Sequence, residues 1–230
     1  MRTLGIDLAS QPANTAACEI DWASGDVSLV RGVDDDAIRA ALARADRAGI
    51  DAPFGWPEPF VAAVSGAAPW PRDRRVLTHR ATDRFVHREI GKLPMSVTTD
   101  RIAYCAMRCV TLIEGCEIAV EAYPDAALRV WVGGPWSSYK RDARERRAVL
   151  LEPLLEVAPL SAAQIEACLA FDDNLDAVVC ALVARAAAVD ETVPPPPELA
   201  RLAEVEGWIQ LPRPGSLCRL GRAGAPDRTP

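Results

Sequence analysis

Three strand-length segments precede the first helical one, and that order restricts the fold more than any other feature of the chain. Thr3–Ala9 is a short apolar run carrying Asp7 near its end, the pattern of a buried strand that presents a polar group at its tip. Thr15–Trp22 alternates in part, Ser24-Gly25-Asp26 can turn, and Val27–Val30 returns, which predicts an antiparallel hairpin. Asp34, Asp35 and Asp36 then supply cap and first-turn acids, and Ile38, Ala41, Leu42 and Ala45 recur at helical spacing before Gly49. Such an opening excludes a purely alternating βαβ wind, so the expected class is α/β, with a mixed sheet and helices on its faces.

The next strand, Gly49–Pro53, is very short and again carries an aspartate, Asp51; Pro53 and Pro57 stop it. From Gly55 to about Ile113 strand periodicity is lost. That segment holds a proline-rich stretch, a basic stretch from Arg72 to Lys92 and a predicted helix from Thr99 to Glu114, and reads as a helical elaboration inserted between core elements. Cys116–Ala122 is the following strand, ended by Tyr123-Pro124. A basic helical stretch covers Tyr139–Leu150, a helix start lies at Ser161–Gln164, and the strongest helix runs from Asp173 to Val189 with Leu175, Val178, Val179, Leu182, Val183 and Ala186 as its apolar face. Pro194–Pro197 form a stiff linker, followed by a short helix at Glu198–Leu202 and a strand-like Gly207–Leu211. The expected organisation is one domain over residues 1–218 and a disordered tail over 219–230.

Asp7 and Asp51 each close a short apolar strand, and Asp173 and Asp176 stand three apart at the start of the long helix. If the two strands pair in parallel, two carboxylates come side by side, and the helical spacing puts two more on one face. An aspartate at a helix start ordinarily caps it, and one after a strand ordinarily turns the chain. What favours a site is the coincidence of order, strand ends and helix phase. Clustered carboxylates repel unless a hard cation neutralises them, and oxygen-only ligands favour Mg²⁺ or Mn²⁺. Two such ions about 3.5 to 4 Å apart would activate a water and stabilise the leaving oxygen of a phosphodiester. Asp172 competes with Asp173 for the inward position, because it pairs with Asp176 at i, i+4 spacing.

The combination Gly5-Ile6-Asp7-Leu8-Ala9, Ile50-Asp51-Ala52-Pro53-Phe54-Gly55-Trp56-Pro57, Arg80-Ala81-Thr82-Asp83-Arg84, Val120-Glu121-Ala122-Tyr123-Pro124, Asp172-Asp173-Asn174-Leu175-Asp176 and Glu206-Gly207-Trp208-Ile209 resembles the DUF429 family of predicted RNase H-like nucleases over nearly the whole chain. The resemblance implies an RNase H-like fold with a five-stranded mixed sheet, helices on both faces and the order β1-β2-β3-α-β4-α-β5-α. It also implies Asp7 as the first-strand acid, Asp51 as the fourth-strand acid and Asp173 with Asp176 as the pair opening the last helix, together the metal ligands and catalytic carboxylates. Glu121 matches the family's own glutamate and joins them as an added ligand or base. The expected activity is hydrolysis of nucleic-acid phosphodiesters, DNA or RNA, with Mg²⁺ or Mn²⁺.

Arg80 and Arg84 share one helix face and are the candidate substrate-binding residues, against a reading as a solvated helix paired with Asp83 and Glu89. Trp56 either stacks on a base or packs in the core. His79 and His87 are the only histidines and too far apart for a zinc site, and the seven cysteines include no CxxC pair, which argues for reduced thiols. A P-loop, a GxGxxG turn and a GxSxG elbow are all missing. With no run long enough to span a membrane and no signal peptide, a cytoplasmic protein is expected. A net charge of -6 lowers the prior for phosphate-bearing partners, but Arg72–Lys92 carries about +4 and Lys140–Arg147 about +3, so positive charge is concentrated rather than absent. Two rivals share the same residues: phosphoryl transfer in the manner of actin and sugar kinases, and a non-catalytic nucleic-acid-binding module.

Overall fold

The computed structural model describes residues 1–98, 100–134 and 138–221. The chain runs β1 (Arg2–Asp7), β2 (Ala16–Asp21), β3 (Val27–Arg31), α1 (Asp35–Leu42), β4 (Arg47–Asp51), α2 (Glu58–Val64), α3 (Arg75–Thr78), α4 (Ala81–Ile90), α5 (Asp100–Leu112) and β5 (Ala119–Glu121). It continues with α6 (Pro124–Val132), α7 (Arg144–Leu151), α8 (Ala162–Ala170), α9 (Asp172–Ala188), α10 (Ala200–Glu206) and α11 (Leu217–Leu220). The strands form one mixed sheet in the order β3-β2-β1-β4-β5, antiparallel from β3 to β1 and parallel from β1 through β4 to β5. This is the expected α/β architecture, and its strand order fits an RNase H-like fold. Among the described residues no helix is long and apolar enough to cross a membrane.

Strand alternation divides the core between the two faces of the sheet. Leu4 and Ile6 of β1 and Ala48 and Ile50 of β4 point to one side, where α1 contributes Ile38 and Leu42 and α5 contributes Cys105, Cys109 and Leu112. On the other side Ala16, Cys18 and Ile20 of β2 meet Leu175, Val178 and Leu182 of α9, backed by residues of α6, α7 and α8. Every residue of α9 from Asn174 to Ala186 is buried, so α9 is the central helix and not an amphipathic surface one. Its approach to the sheet is set by two glycines that lie opposite each other in the β1–β4 register, Gly5 and Gly49. A Cβ on Gly5 would sit 2.1 Å from both Ala177 O and Ala181 N, and one on Gly49 would sit 2.3 Å from Cys180 O. The backbone of α9 therefore rests directly on the two central strands.

Several elements differ from the sequence reading. The stretch expected to be an elaboration inserted between core elements ends in α5, which itself joins the core through Cys105, Cys109 and Leu112; Thr99, the expected start of that helix, lies outside the described residues. Tyr123-Pro124 ends β5 as expected but also starts α6, because a proline at the first helical position loses no hydrogen bond. Gly207–Leu211 contributes a single parallel bridge, Ile209 to Glu121, and not a full strand. The basic stretch becomes helical only at Arg144, since the carbonyls of Tyr139 and Arg141 are taken by the Arg147 side chain. The tail does not begin at Arg219: α11 buries Leu220, and Arg219 donates to Glu191 through two nitrogens at 2.6 Å. Residues 222–230 of that expected tail lie outside the described residues.

Substituting Gly5→Ala or Gly49→Ala should therefore destabilise the protein by about 1–3 kcal/mol or more, the usual range for overpacking against unyielding backbone. Gly221→Ala, where a Cβ meets nothing within 4 Å, should stay within about 0.5 kcal/mol of the parent in the same urea titration. Equal midpoints for all three variants would contradict the close approach.

Candidate metal centre

The glycines that seat α9 also fix the site. Two residues beyond Gly5 and Gly49, on the same face of the sheet, Asp7 and Asp51 occupy the last paired positions of β1 and β4. Asp176 precedes Ala177, whose carbonyl abuts Gly5, so the first turns of α9 bring its carboxylate over the strand ends. One carboxylate oxygen from each of Asp7, Asp51 and Asp176 lies within 4.8 Å of the others. Asp176 is fully buried, while Asp7 and Asp51 are half-buried and line a cleft of about 580 Å³.

This arrangement is electrostatically unfavourable without a cation. Burial first, then the charges of Asp176 and Asp51, hold the Asp7 carboxyl well above the usual carboxylate range. Burial and the neighbouring Asp176 push Asp51 up to about 7. Burial also raises Asp176, against the pull of the Lys140 ammonium, which is ion-paired with its Oδ2. The Tyr139 hydroxyl donates to Asp176 Oδ1 at 2.7 Å. Three converging carboxylates with no nitrogen or sulfur donor suit a hard divalent cation, which removes the repulsion by neutralising it. Cys105 lines the same cleft, but burial and the charges of Asp51 and Asp7 push its thiol up to about 12, so it offers no thiolate.

The other expected site residues are placed differently. Asp173 accepts from Arg31 Nε at 2.8 Å, because β3 at the sheet edge brings that arginine to the start of α9, and it is not part of the three-oxygen cluster. Asp172 lies 3.6 Å from Lys140 Nζ and accepts the Arg141 backbone N–H at 3.1 Å; neither it nor Asp173 lines the cleft, although the Asp173 charge acts on Asp7. Glu121 borders the cleft with both oxygens engaged: Oε1 accepts from Arg80 at 2.6 Å, and Oε2 accepts from Arg80 at 2.7 Å and from the Phe54 N–H at 3.1 Å. Arg80 is 2% exposed, borders the cleft and also donates to Asp83 and the Glu206 carbonyl, so it braces α4, β5 and the segment after β4. Arg84 is exposed, donates to the His79 carbonyl and does not line the cleft. Trp56 is half-buried and stands apart from the cleft lining.

Tyr139 and Lys140 escaped recognition as site residues, because a basic run ordinarily marks a wet helix face. One signal was present. The chain holds 24 arginines and only two lysines, Lys92 and Lys140, and both line the cleft.

A family model described as "Protein of unknown function (DUF429)" matches residues 5–200. No curated protein and no solved structure matches the chain.

Two outcomes follow from these charges. In metal-free protein, Asp7 and Asp51 keep protons in the folded state that the unfolded chain gives up near pH 4, so stability should fall as pH rises from about 4 to 7. Asp51→Asn should flatten that fall in thermal melts with chelator present; an unchanged slope would contradict it. Arg80→Met leaves Asp83 and Glu121 buried without their counter-charge and should cost about 3–5 kcal/mol in chemical unfolding, whereas a loss below about 1 kcal/mol would place the brace elsewhere.

Proposed function

The chain belongs to the DUF429 family, and on the geometry of its acidic centre we propose that it is a metal-dependent nuclease that hydrolyses phosphodiester bonds of DNA or RNA. The observation that carries this reading is the in-register pair Asp7 and Asp51, which lie against the buried Asp176 and line a cleft together with Lys92, Arg129 and Lys140. Asp7 and Asp51 would hold Mg²⁺ or Mn²⁺ from the strand ends, and Asp176 would complete the set from the helix. When bound, such a cation supplies Lewis acidity: it draws charge from a phosphoryl oxygen and makes water a better nucleophile at neutral pH.

The chain's own groups divide the remaining work. Hydrolysis adds water across a P–O bond, so the attacking oxygen loses a proton, the leaving oxygen gains one, and negative charge builds on the phosphoryl group between them. Cations on the cleft wall favour that charge, in a recess where surrounding apolar groups such as Leu93, Pro94 and Ile102 reduce screening by water. Asp176, locked by Tyr139 and Lys140, keeps its orientation without help from a ligand. Glu121 and Arg80 hold the Phe54 amide, and with it the chain that leaves β4 just after Asp51.

Purified protein with Mn²⁺ should cleave labelled single-stranded DNA or RNA, and chelation should stop it. Asp7→Asn and Asp51→Asn should each lower the rate by at least about 100-fold while leaving the far-ultraviolet circular dichroism spectrum unchanged. Cleavage at the parental rate by either variant would sink the assignment. ATP hydrolysis in place of strand cleavage would move the protein to the phosphotransferase reading.

A further inference from the structure

Asp176 and the two strand aspartates are served differently. Both oxygens of Asp176 are engaged by the protein, one by the Tyr139 hydroxyl and one by the Lys140 ammonium. The carboxylates of Asp7 and Asp51 have no hydrogen-bond donor among the described residues, although they share the cleft with Lys140. Lys140 Nζ also lies 3.6 Å from Asp172 Oδ2, so the ammonium sits between two carboxylates of α9, on one side of the acidic centre. Its charge also acts on Asp7 and Asp51, so the ammonium faces all three carboxylates of the centre.

The lysine is held there by construction. Arg147, 2% exposed, donates through one nitrogen to the carbonyls on either side of Lys140, Tyr139 O at 2.8 Å and Arg141 O at 2.6 Å. Its other nitrogens bond Leu169 O at 3.1 and 2.8 Å, tying the segment to the end of α8. Arg141 N donates to Asp172, and Arg141 itself takes a left-handed backbone, φ 59°, a conformation non-glycine residues seldom adopt unless the surroundings impose it. A buried guanidinium and a strained neighbour thus fix the backbone on either side of Lys140, whose side chain lines the cleft and is 43% exposed.

Residue choice points the same way. In a chain with 24 arginines and two lysines, a lysine stands here. An ammonium is a compact point charge that can substitute for an ion, whereas a planar guanidinium spreads its charge over a fork.

We infer that Lys140 occupies the second cation position, so that the centre binds one divalent ion between Asp7 and Asp51 and uses the ammonium as its other positive charge toward the substrate phosphate. The inference rests on the reading of the acidic cluster as a metal centre, and it departs from the two-ion arrangement expected from sequence. Lys140 is on this account a binding residue for the phosphate and a positioning residue for Asp176.

Mn²⁺ titrations followed by electron paramagnetic resonance count the ions without relying on activity. The parent protein should bind one Mn²⁺ per chain, Lys140→Met should bind two, and Lys92→Met, which removes the other cleft ammonium, should stay at one. Two ions in the parent, or a single ion of unchanged affinity in Lys140→Met, would overturn the role of Lys140 while leaving the metal centre standing. No ion in the parent would remove the centre itself, and the role of Lys140 with it. Should Lys140→Met fail to fold, Mn²⁺ anomalous scattering from parent crystals decides: one peak between Asp7 and Asp51 with Lys140 still on Asp176 supports the inference, and two peaks refute it.

Discussion

Contact between the backbone of α9 and the two glycines of the central parallel strands is the constraint on which the rest of the structure depends. Without side chains at Gly5 and Gly49, the helix sinks to carbonyl contact with the sheet, a separation no alanine would permit. The small residues Ala177, Cys180, Ala181 and Ala184 are the helix's half of the same contact. That depth explains why α9 is apolar on nearly every side: the sheet covers one face, and α6, α7, α8 and α11 cover others. It also explains the acidic centre. Each strand reads Gly-Ile-Asp, and in register those tripeptides place glycines under the helix and carboxylates beneath its first turns. Close packing and the site are one arrangement, so a change that lifts the helix would spread the carboxylates.

The molecule buries acids in two ways, with opposite consequences. Around Arg80, the carboxylates of Asp83 and Glu121 are matched to one guanidinium through paired hydrogen bonds, and Glu206 accepts the Glu58 and Ala81 backbone N–H groups at 2.9 and 2.6 Å. Those groups are satisfied, and their role is to bind α4, α10, β5 and the chain after β4 into one unit. At Asp7 and Asp51 no such partner exists among the described residues, and the cost shows as carboxyls held above their usual range. Protonation relieves that repulsion in the metal-free protein, and a divalent cation could relieve it by charge instead. Glu121 lies close enough to Asp51 to raise its pKa, and burial raises its own carboxyl as well, but both its oxygens are held by Arg80 and the Phe54 amide.

Local signals carried the fold a long way. Strand alternation, the acid-rich start of α1 and the apolar α9 were legible because each is written within about ten consecutive residues. Asp7, Asp51 and Asp176 were legible because strand ends and helix phase are also local. Asp173 was not, since its partner Arg31 is 142 residues away in sequence and only the folded sheet edge joins them. Arg80 looked like a surface cation because its two-sided burial depends on β5 and on the carbonyl of Glu206, neither adjacent in the chain. The start of α6 was hidden by a proline that reads equally as a strand stop and a helix start. Lys140 was hidden by its own neighbours, for a run of basic residues conceals which of them turns inward.

That last point changes what the chain's positive charge means. In sequence, the two basic segments offset the net charge of -6 and resemble a surface for a phosphate chain. In the fold, part of their charge is committed: Arg80 and Arg147 are buried, and Arg144 is paired with Glu166, whereas Arg72, Arg74, Arg75 and Arg84 stay exposed. Lys92 and Arg129 on the cleft wall share Asp125. Affinity for a polyanion normally grows with each phosphate neutralised and falls steeply with salt as counterions return. The cleft cations Lys92, Arg129 and Lys140 are each ion-paired, so on the proposed reading the cleft itself would draw little of its affinity from that source. On that reading, recognition would be concentrated at the acidic centre, on one phosphate at a time, where a divalent ion and the ammonium of Lys140 would act at short range in a recess and salt would screen them least.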